Sequence, residues 1–401
     1  MHLCIVIFNT CPSKEYNLTI GGAEKQLLRL IPEYEKKVER LSLITNYTTY
    51  IPKKATTTIK QSFGNYSRIW SPIINFILRK RLRIISTVLY ILYISYNIIK
   101  IHHKDRINFL NIHMLDSSYY PVMLLAKLLR IKTIYKPASV PKPYKNNLNP
   151  MDEHILNAII FQVIPFLTNK VILSADYIQA LNPEIRDELK NTFLYPENRV
   201  ALIPNGVKSE DFKNLYNPGL KTFGYVGRLD KIKNIPTIIE AFSKFKNKYP
   251  LFKLVLYGDG PERSKIERII KKFNLQESIK LFGFEPDFAK IYSSFDYYII
   301  SSYSEGISNS LLEAMAVGMP ILASNIKGNT LLIKDGEEGL LFNPHNVDDL
   351  KEKMIYIVEN PRIIENLRKK AQIKIQKEFD IKIIVKQLLT FMKFTYSFTR
   401  Q

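Results

Sequence analysis

Short apolar runs alternate with longer helix-patterned stretches along almost the whole of this 401-residue chain, and that alternation narrows the fold more than any other feature. In the first half the runs fall at Leu3–Phe8, Leu41–Thr45, Asn108–Ile112, Thr133–Lys136, Lys170–Leu173 and Val200–Ile203. A second series occupies Lys221–Val226, Lys253–Tyr257, Ile279–Phe282, Asp296–Ile300, Pro320–Ala323 and Gly339–Leu341. Strands separated by helices in this way predict an α/β fold of doubly wound parallel sheets. Two series predict two Rossmann-like domains, a division that the chain length permits. Pro204-Asn205-Gly206 is a turn sequence directly after a strand and marks the joint. The stretch Ile381 to Tyr396 is helical by pattern and is expected to return to the first domain. The expected division is therefore residues 1–206 plus 384–401, and residues 207–383.

A hydrophobic content of 46% excludes a fibrous or largely disordered chain. Cys4 and Cys11 are the only cysteines, too few for a disulfide framework and without metal-site spacing. No basic leader precedes the first apolar run, so a reducing cytoplasmic setting is expected. The net charge of +21 is unevenly spread: residues 51–150 hold 17 Lys and Arg against 2 Asp and Glu. Within them, Arg79-Lys80-Arg81-Leu82-Arg83 precedes the uncharged run Ile84 to Ile99, rich in Ile, Leu and Tyr. That run is shorter than the ~20 apolar residues of a membrane span. A basic, tyrosine-rich segment over residues 69–101 is expected instead to lie on an anionic membrane surface. A buried core helix behind a solvated basic turn is the competing explanation. No nucleic-acid recognition pattern accompanies the charge, so nucleic acid is not expected as a partner.

The densest chemistry lies in Ser301 to Pro320, S-S-Y-S-E-G-I-S-N-S-L-L-E-A-M-A-V-G-M-P. It follows an apolar run, so the turn is expected at the carboxyl end of a strand, where open α/β sheets bind ligands. Gly306 allows close approach of backbone to ligand, and free N–H groups near Ser308 to Leu311 suit a phosphate. Glu305 stands beside that anion site, while Glu313, roughly two turns further on, can reach a ribose. The local alternative is a capping box made by Ser310 and Glu313.

Further segments point to the same ligand. Gly227-Arg228-Leu229-Asp230-Lys231-Ile232-Lys233-Asn234 follows a strand, and Arg228 with Lys233 can hold a diphosphate and stabilise it as a leaving group. Lys231 is an alternative to Lys233, and a solvated basic loop is an alternative to both. Gly258-Asp259-Gly260 permits a tight turn, and the backbone of Leu281-Phe282-Gly283-Phe284 can receive a flat base. In the first domain Gly21-Gly22-Ala23-Glu24 precedes a helix, and His113 follows a strand.

Together these residues resemble family 4 glycosyltransferases of the GT-B fold, in which two Rossmann-like domains face each other across a cleft. The likeness rests on Gly21-Gly22-Ala23-Glu24, Asn205-Gly206-Val207, the Gly227 to Asn234 loop, Gly258-Asp259-Gly260 and the Glu305 to Glu313 element with Gly318-Met319-Pro320 behind it. It implies an acceptor-binding first domain and a nucleotide-sugar-binding second. It also implies catalytic roles for Glu305, Arg228, Lys233 and His113, with Glu305 against the donor sugar and His113 touching the transferred sugar. The implied donor-binding set is Gly22, Gly258, Phe282, Gly283, Gly306, Ile307, Ser308, Asn309, Ser310, Leu312 and Glu313. Retention of anomeric configuration without metal or cofactor is implied, and no Asp-x-Asp cluster occurs. A donor phosphate oxygen, Glu24 or His113 are alternative proton acceptors. Where the family usually carries an acidic residue after Gly328, this chain has Leu331, so donor choice does not transfer from a relative.

The expected activity is transfer of a sugar from a nucleotide diphosphate donor to a lipid-linked or cell-surface polysaccharide acceptor, by an enzyme peripheral on the inner face of the cytoplasmic membrane. A nucleotide-sugar epimerase and a non-catalytic nucleotide-sugar-binding scaffold are the alternatives.

Overall fold

The computed structural model describes residues 1–7, 22–45, 83–113, 119–137 and 170–398. The chain divides into two compact units, Met1–Ile203 with Gln387–Gln401, and Pro204–Lys386. The return falls inside the helix Ile381–Phe398.

The first unit carries a six-stranded sheet with the order β2-β1-β3-β4-β5-β6. Its strands are β1 (His2–Ile7), β2 (Arg40–Thr45), β3 (Phe109–His113), β4 (Lys132–Lys136), β5 (Tyr177–Ala180) and β6 (Val200–Leu202), and every pairing is parallel. One face, with Cys4, Val6, Leu110, Ile112 and Tyr135, packs against Ile94 and Ile98 of helix Arg83–Lys104 and Val122, Met123 and Ala126 of helix Tyr119–Leu128. Helices on a parallel sheet explain why β1 and β3 read as continuous apolar runs rather than alternating ones.

Two expectations fail here. Residues 170–173 are helical, and the strand lies later, at Tyr177–Ala180. Val171-Ile172-Leu173 is an apolar run too short for periodicity to separate helix from strand. The start of the helix following the glycine pair differs as well. The helix Gly22–Glu35 starts on Gly22 itself, while Gly21 lies outside the described residues.

The second unit has β7 (Thr222–Val226), β8 (Lys253–Tyr257), β9 (Ile279–Gly283), β10 (Tyr297–Ile300), β11 (Ile321–Ser324) and β12 (Leu340–Phe342), in the order β12-β11-β10-β7-β8-β9. All the pairings are parallel. Apolar clusters fill both faces, one around Tyr298, Leu311 and Met315, the other around Phe223, Phe242 and Leu254. Asp296, 2% exposed, ties down the approach to β7 by accepting from the backbone N–H groups of Gly219, Leu220 and Thr222.

These orders locate the binding crevices. In an open α/β sheet a crevice forms where the strand order reverses direction, outside the carboxyl ends. The reversal falls between β1 and β3 in the first unit and between β7 and β10 in the second. The loop after β7 carries Arg228 and Lys233, and the loop after β10 carries Glu305 and Gly306.

Candidate active site

The loop after β7 is built by backbone contacts that exclude side chains. Gly227 N–H donates to the Tyr257 carbonyl (3.0 Å), and Leu229 N–H donates to that of Asp259 (2.9 Å). A Cβ on Gly258, whose φ is +130°, would lie 1.8 Å from the Gly227 oxygen, so only glycine fits. Asp230 caps the turn Lys231–Lys233 through Ile232 N–H, and Asn234 then takes a left-handed conformation. The Ser301 hydroxyl, at the end of β10, donates to the carbonyl of Lys233 (2.7 Å) or Asn234 (3.0 Å). With the main chain fixed at both ends, Lys233 points its ammonium at Glu305, with Nζ to Oε1 at 2.6 Å. Lys233 rather than Lys231 is thus the cation brought to the crevice. Arg228 remains 70% exposed, its guanidinium 3.7 Å from Asp230.

Glu305 is held from three sides. Its Oε1 also accepts from the Ser302 hydroxyl (2.6 Å), and its backbone rests against Gly328, where a Cβ would stand 2.4 Å from the Glu305 carbonyl oxygen. The carboxylate is oriented before any ligand arrives, which removes part of the ordering cost of binding.

The helix that follows, Asn309–Val317, is capped by Ser308, whose hydroxyl accepts from Leu311 N–H. This corrects the expected capping box: Ser310 already lies inside the helix. Its hydroxyl instead accepts from Tyr298 Oη at 2.8 Å and lies 3.1 Å from that of Ser308. Burial pushes the Tyr298 phenol well above the usual phenol range, so at neutral pH it is a donor. Glu313 is 8% exposed and accepts from Tyr292 Oη at 2.7 Å. Ile307 and Leu312, 8% and 1% exposed, sit in the apolar cluster behind the crevice. Leu312 therefore shapes the site from below, and Gly306, Ser308, Asn309 and Ser310 form the turn and first helical residues above it. Asn309 Oδ1 accepts from Asn205 Nδ2 at 3.0 Å.

On the far side of β7, Gly258 N–H donates to the Gly283 carbonyl (2.7 Å). Phe282 is 42% exposed and stacks on Tyr257, with centroids 4.7 Å apart and planes at 7°. Lys280 Nζ lies 4.6 Å from the Phe282 centroid. Phe282 thus presents a side-chain platform as well as the expected backbone.

In the first unit His113 is the last residue of β3 rather than a residue after it, and is 2% exposed. Burial, and then the neighbouring Lys136, hold its imidazole well below its ordinary pKa, so it is neutral at pH 7. Gly22 begins the helix that follows β1.

Sequence reasoning missed three residues. Tyr292, which orients Glu313, sits in a segment that reads only as a short amphipathic helix. Gly328 was noted only as a neighbour of Leu331. Lys136 carried a signal in the sequence, a charge closing the otherwise apolar Thr133-Ile134-Tyr135 run.

Residues 207–375 match the model of the family described as "Glycosyl transferases group 1". An uncharacterised glycosyltransferase of Methanocaldococcus jannaschii is 26% identical over 338 residues, 73% of this chain and 81% of that protein. The N-acetylgalactosamine-N,N'-diacetylbacillosaminyl-diphospho-undecaprenol 4-alpha-N-acetylgalactosaminyltransferase of Campylobacter jejuni is 26% identical over 62% of this chain and 65% of that protein. Several other curated relatives are matched over about half of their length or less. Among solved structures, Anabaena HepE in complex with UDP superimposes with a TM-score of 0.69 at 15% identity, covering 98% of this chain and all of the other. That likeness establishes the architecture, so the chain has the GT-B fold, and the match over residues 207–375, which include Lys233 and Glu305, makes this part of the second unit similar to the group 1 glycosyl transferases.

Proposed function

We propose that this protein transfers a sugar, with retention of configuration, from a nucleoside diphosphate donor to a lipid-linked or polysaccharide acceptor at an anionic membrane surface. The Lys233–Glu305 pair at the reversal of the second sheet carries the reading. Lys233 and Arg228 neutralise the diphosphate as the bond from sugar C1 to phosphate oxygen breaks, assisted by the amino end of helix Asn309–Val317. Glu305, released from Lys233 as the diphosphate takes the ammonium, accepts hydrogen bonds from the donor sugar. Glu313 binds the ribose, held for it by Tyr292. The acceptor oxygen forms the new bond to C1, and its proton passes to a phosphate oxygen of the leaving group. The residues supply this charge stabilisation themselves, so the reaction is proposed to run without a metal or cofactor.

Slow hydrolysis of a nucleotide sugar tests the site. Glu305→Ala and Arg228→Ala should each lower nucleotide release by about 100-fold or more while the fold is retained. Release at the parental rate in both variants removes the assignment.

The membrane reading draws support from helix Arg83–Lys104. Ile94, Asn97 and Ile98 are buried in the first unit, whereas Leu92, Tyr96 and Ile99 are 60%, 61% and 47% exposed along one stripe. Residues 69–82 lie outside the described residues, and among those described no helix is long and apolar enough to cross a membrane. The placement proposed is peripheral, on the cytoplasmic face. Replacing Arg79, Lys80, Arg81 and Arg83 by Ser should weaken sedimentation with anionic vesicles about tenfold or more. Unchanged sedimentation returns the segment to a core helix.

A further inference from the structure

One cation at the carboxyl edge of the first sheet takes no part in the proposed transfer. Lys136 ends β4, and the parallel ladder pairs it with His113, which ends β3 and pairs in turn with Ile7 of β1. Ladder partners project to the same face of a sheet, so the ammonium and the imidazole stand side by side. Asn111, two residues before His113, shares that face one pleat deeper. Lys136, His113 and Asn111 are 6%, 2% and 0% exposed. Among the described residues, His113 Nε2 and both amide atoms of Asn111 have no hydrogen-bond partner. Among the described residues no carboxylate acts on either basic group: burial lowers Lys136, and burial followed by the charge of Lys136 lowers His113.

Folded proteins pair buried charges and satisfy buried amides. A set of buried donors with no acid among them is complementary to an anion, and this one stands beside the strand-order reversal between β1 and β3, where such a sheet opens to ligands. We infer that Lys136, together with His113 and Asn111, binds one oxyanion, a phosphate or a carboxylate group carried by the acceptor. The word acceptor rests on the transferase reading; the anion site does not. The incoming anion supplies the counter-charge that Lys136 lacks, while the neutral imidazole and the amide supply hydrogen bonds. Proton uptake must accompany binding wherever the free amine is partly neutral.

The test uses the full chain carrying Arg228→Ala and Lys233→Ala, so that the second unit offers no competing phosphate grip. Inorganic phosphate and acetate are each titrated by calorimetry near pH 8 in two buffers of different protonation enthalpy, against chloride at equal ionic strength. Saturable binding with proton uptake is expected, and Lys136→Met should weaken it by about tenfold or more and abolish the uptake. Preference for phosphate or for acetate identifies which oxyanion the acceptor carries. Binding of neither, or equal binding by Lys136→Met, overturns the inference. Should Lys136→Met fail to fold, Asn111→Asp decides: a carboxylate built into the site should exclude the anion and raise the thermal midpoint through Lys136. Unchanged phosphate affinity in Asn111→Asp is equally fatal. Neither arm reads sugar transfer, so failure of the transferase reading leaves this result standing, and the reverse holds too.

Discussion

The two sheets end in opposite electrostatic conditions. At the carboxyl edge of the second, Lys233 is paired with Glu305 at 2.6 Å, and Glu313 is paired with the Tyr292 hydroxyl at 2.7 Å. At the corresponding edge of the first, Lys136 and His113 stand together without an acid among the described residues. The paired edge is preorganised, and the proposed transfer has it exchange partners when the donor binds. At the other edge burial holds His113 neutral and lowers Lys136 to about 7, so that near neutral pH its ammonium is only partly protonated. Under the two proposals, similar topology supports two strategies for anions, one by displacement of an internal counter-ion and one by vacancy of charge.

Removing a cation from each edge should consequently act with opposite sign. Lys233→Met strands the Glu305 carboxylate, which is only 10% exposed, and should destabilise the second unit by about 3 kcal/mol in urea unfolding. Lys136→Met should stabilise the first unit below pH 7. Burial pushes the Lys136 ammonium down to about 7 from 10.5. Because the unfolded chain then binds more protons than the folded one between those values, stability rises with pH across that window. The penalty is fully present below pH 7 and fades toward 10.5. Between about pH 6 and about pH 9 the parental transition should gain on the order of 2 kcal/mol that Lys136→Met does not show. A pH slope identical in both chains would place the ammonium in solvent and dissolve the contrast. The smallest effect belongs to Tyr292→Phe, which removes the partner of Glu313: about 1 kcal/mol of stability and a several-fold rise in donor KM, with kcat nearly kept. A fall in kcat instead would place Glu313 in the chemical step.

The sequence disclosed the strands wherever an apolar run was bounded by turn residues, as at Lys253–Tyr257 before Gly258-Asp259-Gly260. It misled where polarity and burial parted company. β5 reads Tyr-Ile-Gln-Ala, and its Gln179 is buried because Nε2 donates to the Ile203 carbonyl, a partner 24 residues away that no local pattern reveals. Conversely, Val171 and Ile172 are core residues of a helical turn. The places of Lys233 and Glu305 were legible because both follow strand ends. Their contact was not, since it depends on β7 and β10 being neighbours despite two intervening strands. The cap at Ser308 rather than Ser310 turned on Tyr298 reaching across from β10 to engage the Ser310 hydroxyl.

The backbone stitching among the loops after β7, β8 and β9 also bears on how this protein can diverge. Gly258 joins Gly227 and Gly283 main chain to main chain, and a methyl added at Gly258 would collide with the Gly227 carbonyl oxygen and dislodge this rim. Phe282 and Lys280 project outward from the same rim and make none of those stitches. Under the proposed donor site, preference for one base over another can drift by exchanging such outward side chains while the main-chain contacts of the rim stay unchanged.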